Sequence, residues 1–133
     1  MLALMGGCRG QRTGLTPDEA TAGREALVAL QSAAEAKDAG ESVAQPRLEV
    51  VRQLARALPP ESKPAWNRTR GQISACLLEL ESYQLNLREL ELAAQLSVLP
   101  TEENTRLVAE KTQEKERGAQ AISICVSELR TRL

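Results

Sequence analysis

The amino-acid sequence predicts an all-α protein: a small antiparallel bundle of three to four helices built on a long C-terminal helical hairpin. Three observations lead to this prediction. The 133 residues contain no Phe, one Trp and one Tyr, so the core must be built from aliphatic residues, which suit helices better than strands. Apolar residues recur at steps of three and four, the period of a helix. Prolines and glycines divide these stretches into four segments.

The first helix is expected over residues 17–38. Thr16 is its predicted N-cap, Pro17 occupies the first helical position, and Glu19 lies where a capping-box glutamate belongs. Gly40 follows the helix and is expected to end it. The segment is rich in alanine, so a neighbouring helix can approach it closely.

The second, shorter helix is expected over residues 46–58. Its apolar residues recur at helical spacing: Leu48, Val51, Ala55 and Leu58. Pro59 and Pro60 end it, because proline lacks the backbone donor that a helix interior needs. The turn that follows contains Ser62, a candidate N-cap for the third helix.

The third helix is expected over residues 64–98 and carries two rows of apolar residues. The first row resembles the seam of a coiled coil: Ile73, Cys76, Leu80, Tyr83, Leu87, Leu90 and Ala94. A rotation of about 100° per residue places the second row on the opposite side: Leu78, Leu85, Leu92 and Leu96. Trp66, near the start of the helix, is expected to anchor the core. A helix that is apolar on two sides usually lies inside a bundle.

The second row has two interpretations. In one, the two N-terminal helices bury Leu78, Leu85, Leu92 and Leu96. In the other, these leucines form a partner face, either a docking stripe for a helix of another protein or a seam for self-association.

The fourth helix is expected over residues 102–132. Pro100 disfavours helix at the residue before it. Thr101, followed by Glu102 and Glu103, is typical of a new helix start, where the helix dipole favours acidic side chains.

Cys76 and Cys125 lie at equal distances from the turn between the third and fourth helices. In an antiparallel hairpin such residues face each other, so pairs whose numbers add up to about 201 are expected to meet. The same rule places Tyr83 opposite Gly118, a large residue against a small one. A Cys76–Cys125 disulfide is therefore predicted, and closing a loop of about 50 residues would add up to about 4 kcal/mol in the chain-entropy model. The alternative is a pair of reduced core cysteines.

The pairing rule also sets the polar segment 110–117 against apolar positions of the third helix. Glu114 lies opposite Leu87, and Lys111 lies opposite Leu90. These leucines need cover, which the first two helices can supply. This favours a four-helix arrangement over a bare hairpin.

The composition offers little catalytic chemistry. Histidine, the commonest general base and metal ligand, is absent, and the three cysteines lack a metal-binding spacing. We therefore expect a protein that is not an enzyme, with no catalytic residues, metal, cofactor or small-molecule substrate. The net charge of −1 argues against nucleic acid as a partner. No stretch reaches the roughly 18 apolar residues of a transmembrane helix.

The stretch Leu4-Met5-Gly6-Gly7-Cys8 resembles the lipobox of bacterial lipoprotein precursors, in which an apolar stretch ends in small residues before a cysteine that becomes lipid-modified. The resemblance implies lipidation of Cys8, with residues 1–15 as a truncated signal and disordered tether and residues 16–133 as a single helical domain. It also implies a place in the bacterial cell envelope, facing the periplasm and leaning toward the outer membrane. An oxidising periplasm fits a disulfide between the other two cysteines.

Together these expectations describe a lipid-anchored cell-envelope protein that acts as a non-enzymatic binding or structural module. It would contact the membrane through Cys8 and would bind a protein partner or a second copy of itself. The competing interpretation is a cytosolic helical adaptor or secretion-chaperone-like protein in which all three cysteines are reduced.

Overall fold

The structure is a computed structural model that describes residues 14–96, 98–99 and 101–133. Within these ranges all regular secondary structure is helical, which confirms the predicted all-α fold. The helices are α1 (Pro17–Glu35), α2 (Glu41–Arg56), α3 (Pro64–Leu96) and α4 (Glu102–Arg132). The long C-terminal hairpin consists of α3 and α4, and both α1 and α2 pack against it and against each other.

The start of α1 has the capping box that the sequence predicts. The Thr16 hydroxyl accepts a hydrogen bond from the backbone N–H of Glu19 at 3.2 Å, and the Glu19 carboxylate accepts one from the backbone N–H of Thr16 at 3.0 Å. Two backbone donors that the first turn would leave unpaired are thereby satisfied. The helix ends at Glu35, earlier than the expected residue 38.

The start of α2 differs from the sequence expectation. The helix begins at Glu41, and Pro46, expected at its first position, lies inside it. Gly40 has a φ of 96°, a left-handed conformation that reverses the chain after α1 and lets the next helix begin at once. Pro46 removes one backbone donor near the helix start, but Ala44 and Val51 are buried on either side of it. This packing keeps the segment helical through the proline.

The core lies where all four helices meet. Each helix contributes a fully buried side chain: Leu30, Leu48, Ile73 and Leu129. Trp66 is also fully buried, and its indole N–H donates to the carbonyl oxygens of Pro59 and Pro60, both at 3.1 Å. The ring therefore ties the turn between α2 and α3 to the core, as expected of an anchor.

The hairpin has the register predicted from its cysteines. Cys76 and Cys125 form a disulfide, with their Cα atoms 5.6 Å apart. The ring of Tyr83 covers Gly118, where an added Cβ would lie 3.2 Å from Cδ2 of the ring. Both pairs add up to 201, so the two helices face each other as the rule requires.

The two N-terminal helices cover part of the hairpin. They reach α3 as far as Arg88, whose Nε lies 2.6 Å from the Glu41 carboxylate. We call α1, α2, residues 64–88 and residues 113–132 the four-helix half. We call residues 89–96 and 102–112 the hairpin arm.

In the hairpin arm, α3 and α4 pack mainly on each other. Among its described residues Ala93 is buried, while Leu90 and Leu107 are half-buried. The amide of Asn104 in α4 donates to the backbone carbonyl of Leu96 at 3.1 Å. Of the two leucines that needed cover, Leu87 packs against the core, whereas Leu90 stays half-buried in the arm.

Candidate contact face

Four leucines form an exposed row on the outer side of α3. The exposed fractions of Leu78, Leu85, Leu92 and Leu96 are 65%, 55%, 59% and 61%. The interpretation that the two N-terminal helices bury this row is therefore wrong. They pack instead on the adjoining side of α3, where the buried Gln84 donates its side-chain N–H to the Lys37 carbonyl oxygen, just after α1, at 2.8 Å. We call the four residues the leucine face.

The spacing of the leucine face keeps its members in line. Steps of seven, seven and four residues rotate the helix by nearly whole turns, so the four side chains stay within about 40° of one another. At about 1.5 Å per residue, the row from Leu78 to Leu96 is about 27 Å long. The result is a straight apolar ridge along the outside of the hairpin.

Small residues share this side of α3 with the leucines. Gly71, Ala75 and Ser82 are all exposed. No atom lies within 4 Å of the position that a Cβ on Gly71 would occupy. The outer side of α3 therefore carries both large leucine side chains and small residues.

Ion pairs hold charged side chains beside the leucine face. The carboxylate of Glu81 lies 3.5 Å from Nε of Arg52, and Nε of Arg88 lies 2.6 Å from the carboxylate of Glu41. Both pairs join α3 to α2. They place one acidic and one basic group of α3 on the same flank of the row, seven residues apart.

A third charged group crosses the hairpin at the base of the arm. Nζ of Lys111 lies 2.6 Å from the carboxylate of Glu89 and 3.4 Å from that of Glu114. The hydrogen bond to Glu89 raises the pKa of Lys111 most, burial opposes the rise, and Glu114 adds to it. Lys111 is therefore a stable cation that neutralises Glu89 next to the leucine face.

The predicted disulfide lies behind the leucine face, on the opposite side of α3. Cys76 is fully buried and Cys125 nearly so. The side-chain amide of Gln72 donates to Sγ of Cys125 at 3.1 Å and to the Cys125 carbonyl oxygen at 3.3 Å. The bond holds α3 to α4 within the four-helix half.

Tyr83 ties α3 to the end of α1. Its hydroxyl donates to the carboxylate of Asp38, and the Lys37 ammonium lies 5.8 Å from the ring centroid. Burial raises the pKa of the Tyr83 hydroxyl far above its ordinary value, and the hydrogen bond to Asp38 raises it further. The phenol therefore stays protonated and serves as a structural donor.

Glu19 is a second buried polar group with a structural role. The Ser62 hydroxyl, expected to cap the third helix, donates to the Glu19 carboxylate at 2.6 Å. Burial acts to raise the pKa of Glu19, but the hydrogen bonds from Ser62 and Thr16 outweigh it and hold that pKa below its ordinary value. The ionised carboxylate thus fastens the start of α1 to the turn before α3.

A second, smaller apolar patch lies between α1 and α2. Val28 and Val50 are exposed, and with Leu54 they line a shallow groove bordered by Arg24 and Glu25. Val50 and Leu54 lie one turn apart on α2 and Val28 lies on α1, so the patch is much shorter than the ridge of the leucine face.

The expected lipidation site, Cys8, lies outside the described residues. Among the residues that the structure describes, no three side chains of the metal-binding types are grouped to hold a metal ion. No helix in the same ranges is long and apolar enough to cross a membrane. Comparison with known proteins finds no matching family model, no matching curated protein and no matching solved structure.

Proposed function

We propose that this protein is a non-enzymatic binding module of the bacterial cell envelope, anchored by a lipid on Cys8, and that the leucine face is its binding surface. The exposure of four aligned leucines carries this proposal. Full burial of one leucine side chain is worth about 1.5–3 kcal/mol, so leaving four in water forgoes a large stabilisation. Contiguous apolar surface of this kind usually marks a contact site.

The shape of the leucine face suits a helical partner. A ridge about 27 Å long with apolar side chains at steps of seven and four matches the seam along which two helices pack. The Cys76–Cys125 bond and the Tyr83–Asp38 hydrogen bond hold α3 in place behind the ridge. A partner therefore meets a surface that needs little ordering on binding, which favours affinity.

The chemistry of the chain supports binding rather than catalysis. Histidine is absent from the sequence. Among the described residues, the groups with a shifted pKa are Glu19, Tyr83 and Lys111, and each is engaged with a neighbouring element of the fold.

Two features support the proposed location in the bacterial cell envelope. Residues 4–8 resemble a lipobox, and a disulfide joins Cys76 to Cys125. Structural disulfides persist in oxidising compartments such as the bacterial periplasm. With those two cysteines paired, Cys8 is left with a separate role, which lipidation provides.

Photo-crosslinking in the native host tests the proposed binding surface. A photoreactive amino acid replaces Leu92, and a matched variant carries it at Ile124, which lies on α4 and is 58% exposed. We expect Leu92 to yield a discrete crosslinked species and Ile124 to yield none. Equal labelling from both positions, or none from Leu92, would contradict the proposal.

The intact mass of the protein from its native host tests the proposed location in the cell envelope. We expect loss of residues 1–7, an added acyl-glyceryl group on Cys8, and a gain of two hydrogens on reduction of Cys76–Cys125. An unmodified chain with three free thiols would overturn the envelope proposal and favour a cytosolic adaptor or secretion chaperone. The binding role of the leucine face would be unaffected by that result.

A further inference from the structure

The leucine face has a shape that complements a copy of itself. Large and small residues of α3 share one heptad pattern: Gly71, Ala75, Leu78, Ser82, Leu85, Glu89, Leu92 and Leu96. All of these except the half-buried Glu89 are exposed. Small residues dominate the N-terminal part of the row, and leucines dominate the C-terminal part. A copy running in the opposite direction would therefore set large residues against small ones.

Gly71 is the member of this row that a single chain does not explain. It lies inside α3, where glycine is the least favourable residue after proline. No atom lies within 4 Å of the position of its absent Cβ, so nothing in the described part of the chain needs a small residue there. Glycine on a helix surface is typical of a site that another group approaches closely.

We propose that a second copy of this chain packs antiparallel on the leucine face, with facing residues whose numbers add up to 167. The inference rests on the proposed use of the leucine face as a binding surface, and it names the occupant. In this register three leucines each lie on a small residue of the other copy: Leu96 on Gly71, Leu92 on Ala75, and Leu85 on Ser82. Each contact forms twice, because a two-fold axis relates the copies.

The charges beside the leucine face select this register. In an antiparallel pair the same flanks of the two helices meet, and pairs on this flank are offset by two residues from the facing rows, so their numbers add up to 169. Glu81 of one copy therefore lies beside Arg88 of the other, and the reverse pair forms across the axis. A shift of one heptad in either direction brings like charges together, Arg88 against Arg88 or Glu81 against Glu81, which is unfavourable. The side chains of Glu81 and Arg88 are 39% and 52% exposed, so both can reach a second copy.

The fourth leucine, Leu78, faces Glu89 of the second copy. Within that copy Nζ of Lys111 lies 2.6 Å from the Glu89 carboxylate and neutralises its charge. A parallel pair has no comparable fit. It sets Gly71 on Gly71 and Ser82 on Ser82, which leaves gaps, and it brings no opposite charges together on the flanks.

Pairwise crosslinking tests the direction and the register. In full-length chains carrying Cys8→Ser, Ala75→Cys is introduced into one chain and Leu92→Cys into another, and the two are mixed. A short bismaleimide joins free thiols and leaves the buried Cys76–Cys125 bond intact. We expect mainly the product that joins position 75 of one chain to position 92 of the other. The products that join 75 to 75 or 92 to 92 should be absent. A predominance of like-with-like products, or equal yields of all three, overturns the proposal.

Analytical ultracentrifugation tests whether the copies associate at all. The purified chain is expected to sediment as a dimer. Leu85→Asp is expected to raise the dissociation constant roughly a thousandfold, because an anchor worth roughly thirtyfold is lost twice. Ile124→Asp is the matched control, because Ile124 lies outside the leucine face and has a similar exposed fraction. This substitution should leave the dimer intact. A monomeric wild-type chain, or equal weakening by both substitutions in folded variants, overturns the proposal.

Gly71→Leu separates association from folding. The new side chain points into open space in the single chain and improves helix propensity, so thermal stability of the monomer should not fall. In the dimer it occupies the place of Leu96 from the second copy, and overpacking of this kind should raise the dissociation constant about tenfold. An unchanged dissociation constant would exclude the close approach at Gly71.

Failure of this inference differs from failure of the proposed function. A purified chain that stays monomeric, combined with a host crosslink from Leu92 to a protein of different mass, removes the second copy and leaves the binding role standing. Absence of any crosslink from Leu92 in the host removes the binding role itself.

Discussion

The four-helix half and the hairpin arm are built from the same two long helices, but the apolar row of α3 that faces into the hairpin is covered to different extents in the two regions. In this row Leu80 of the four-helix half is 1% exposed, whereas Leu90 of the arm is only half-buried. In the four-helix half, α1 and α2 close over the hairpin and bury one side of it. In the arm, Ala93 is the buried residue among those described. The hairpin is thus longer than the bundle that stabilises it, and its outer side can serve binding without weakening the core.

The largest contrast is expected from one substitution made at two positions. Leu80→Ala should lower the free energy of unfolding by about 4 kcal/mol, because it removes a buried side chain and leaves a cavity. Leu92→Ala should change that free energy by less than about 0.5 kcal/mol, as is usual at exposed positions. Urea denaturation at concentrations where the chain is monomeric measures both, and similar losses would mean that Leu92 is buried in the folded monomer.

Removal of the disulfide should have the next largest effect. Cys76→Ala combined with Cys125→Ala is expected to cost about 3 kcal/mol, because the bond no longer restricts the unfolded chain. The loss should match that of the wild-type protein in reductant. If reductant leaves the wild-type transition unchanged, the two cysteines do not stabilise the four-helix half through a bond.

Hydrogen exchange should distinguish the two regions without any substitution. Amides of residues 73–83 are expected to exchange only through global unfolding, because their side chains form the core. Amides of residues 89–96 and 104–110 should exchange through local opening at a free energy at least about 2 kcal/mol lower. Uniform protection along the whole of α3 would contradict the division into two regions.

The smallest effect concerns acid. Because the pKa of Glu19 is lowered in the folded state, its carboxylate adds stability that is present above the ordinary pKa of a glutamate and is lost as the pH falls through the lowered value. Glu19→Gln should therefore lose less stability than the wild type between neutral pH and acid, by about 1 kcal/mol or less. Thermal unfolding across that range measures the difference.

Glu110→Gln is the matched control for this acid effect. It lies in the arm, is exposed, and sits 4.0 Å from Arg106, a pair of the kind that contributes little. Its acid profile should follow that of the wild type. If Glu19→Gln also followed the wild type, the Ser62 contact would have no part in acid stability.

Local sequence signals predicted several parts of the structure. Thr16 and Glu19 form the capping box that their spacing indicates, because a cap depends on residues within one turn. Cys76 and Cys125 predicted the hairpin register, because the geometry of two antiparallel helices follows once the turn is located. The same geometry predicted the disulfide between them.

Other parts depended on contacts between distant segments. Pro46 suggested a helix start, but burial of Ala44 extends α2 ahead of it. Ser62 resembled an N-cap, but its hydroxyl binds Glu19, 43 positions away. The proposed close approach at Gly71 also escaped the sequence analysis, although the place of Gly71 on the same side of the helix as Leu78 and Leu85 was a signal for it.

The sequence by itself determined that the chain is helical, where the hairpin turns, and which residues lie in line on each side of α3, because these properties follow from periodicity, capping and punctuation along the chain. The tertiary structure alone decided which of the two apolar sides of α3 is buried. That outcome depends on how far α1 and α2 reach and on which side they pack, and periodicity within one helix carries no information about either. The leucine face is exposed because α4 packs on the opposite side of α3 and α1 and α2 pack on the adjoining side.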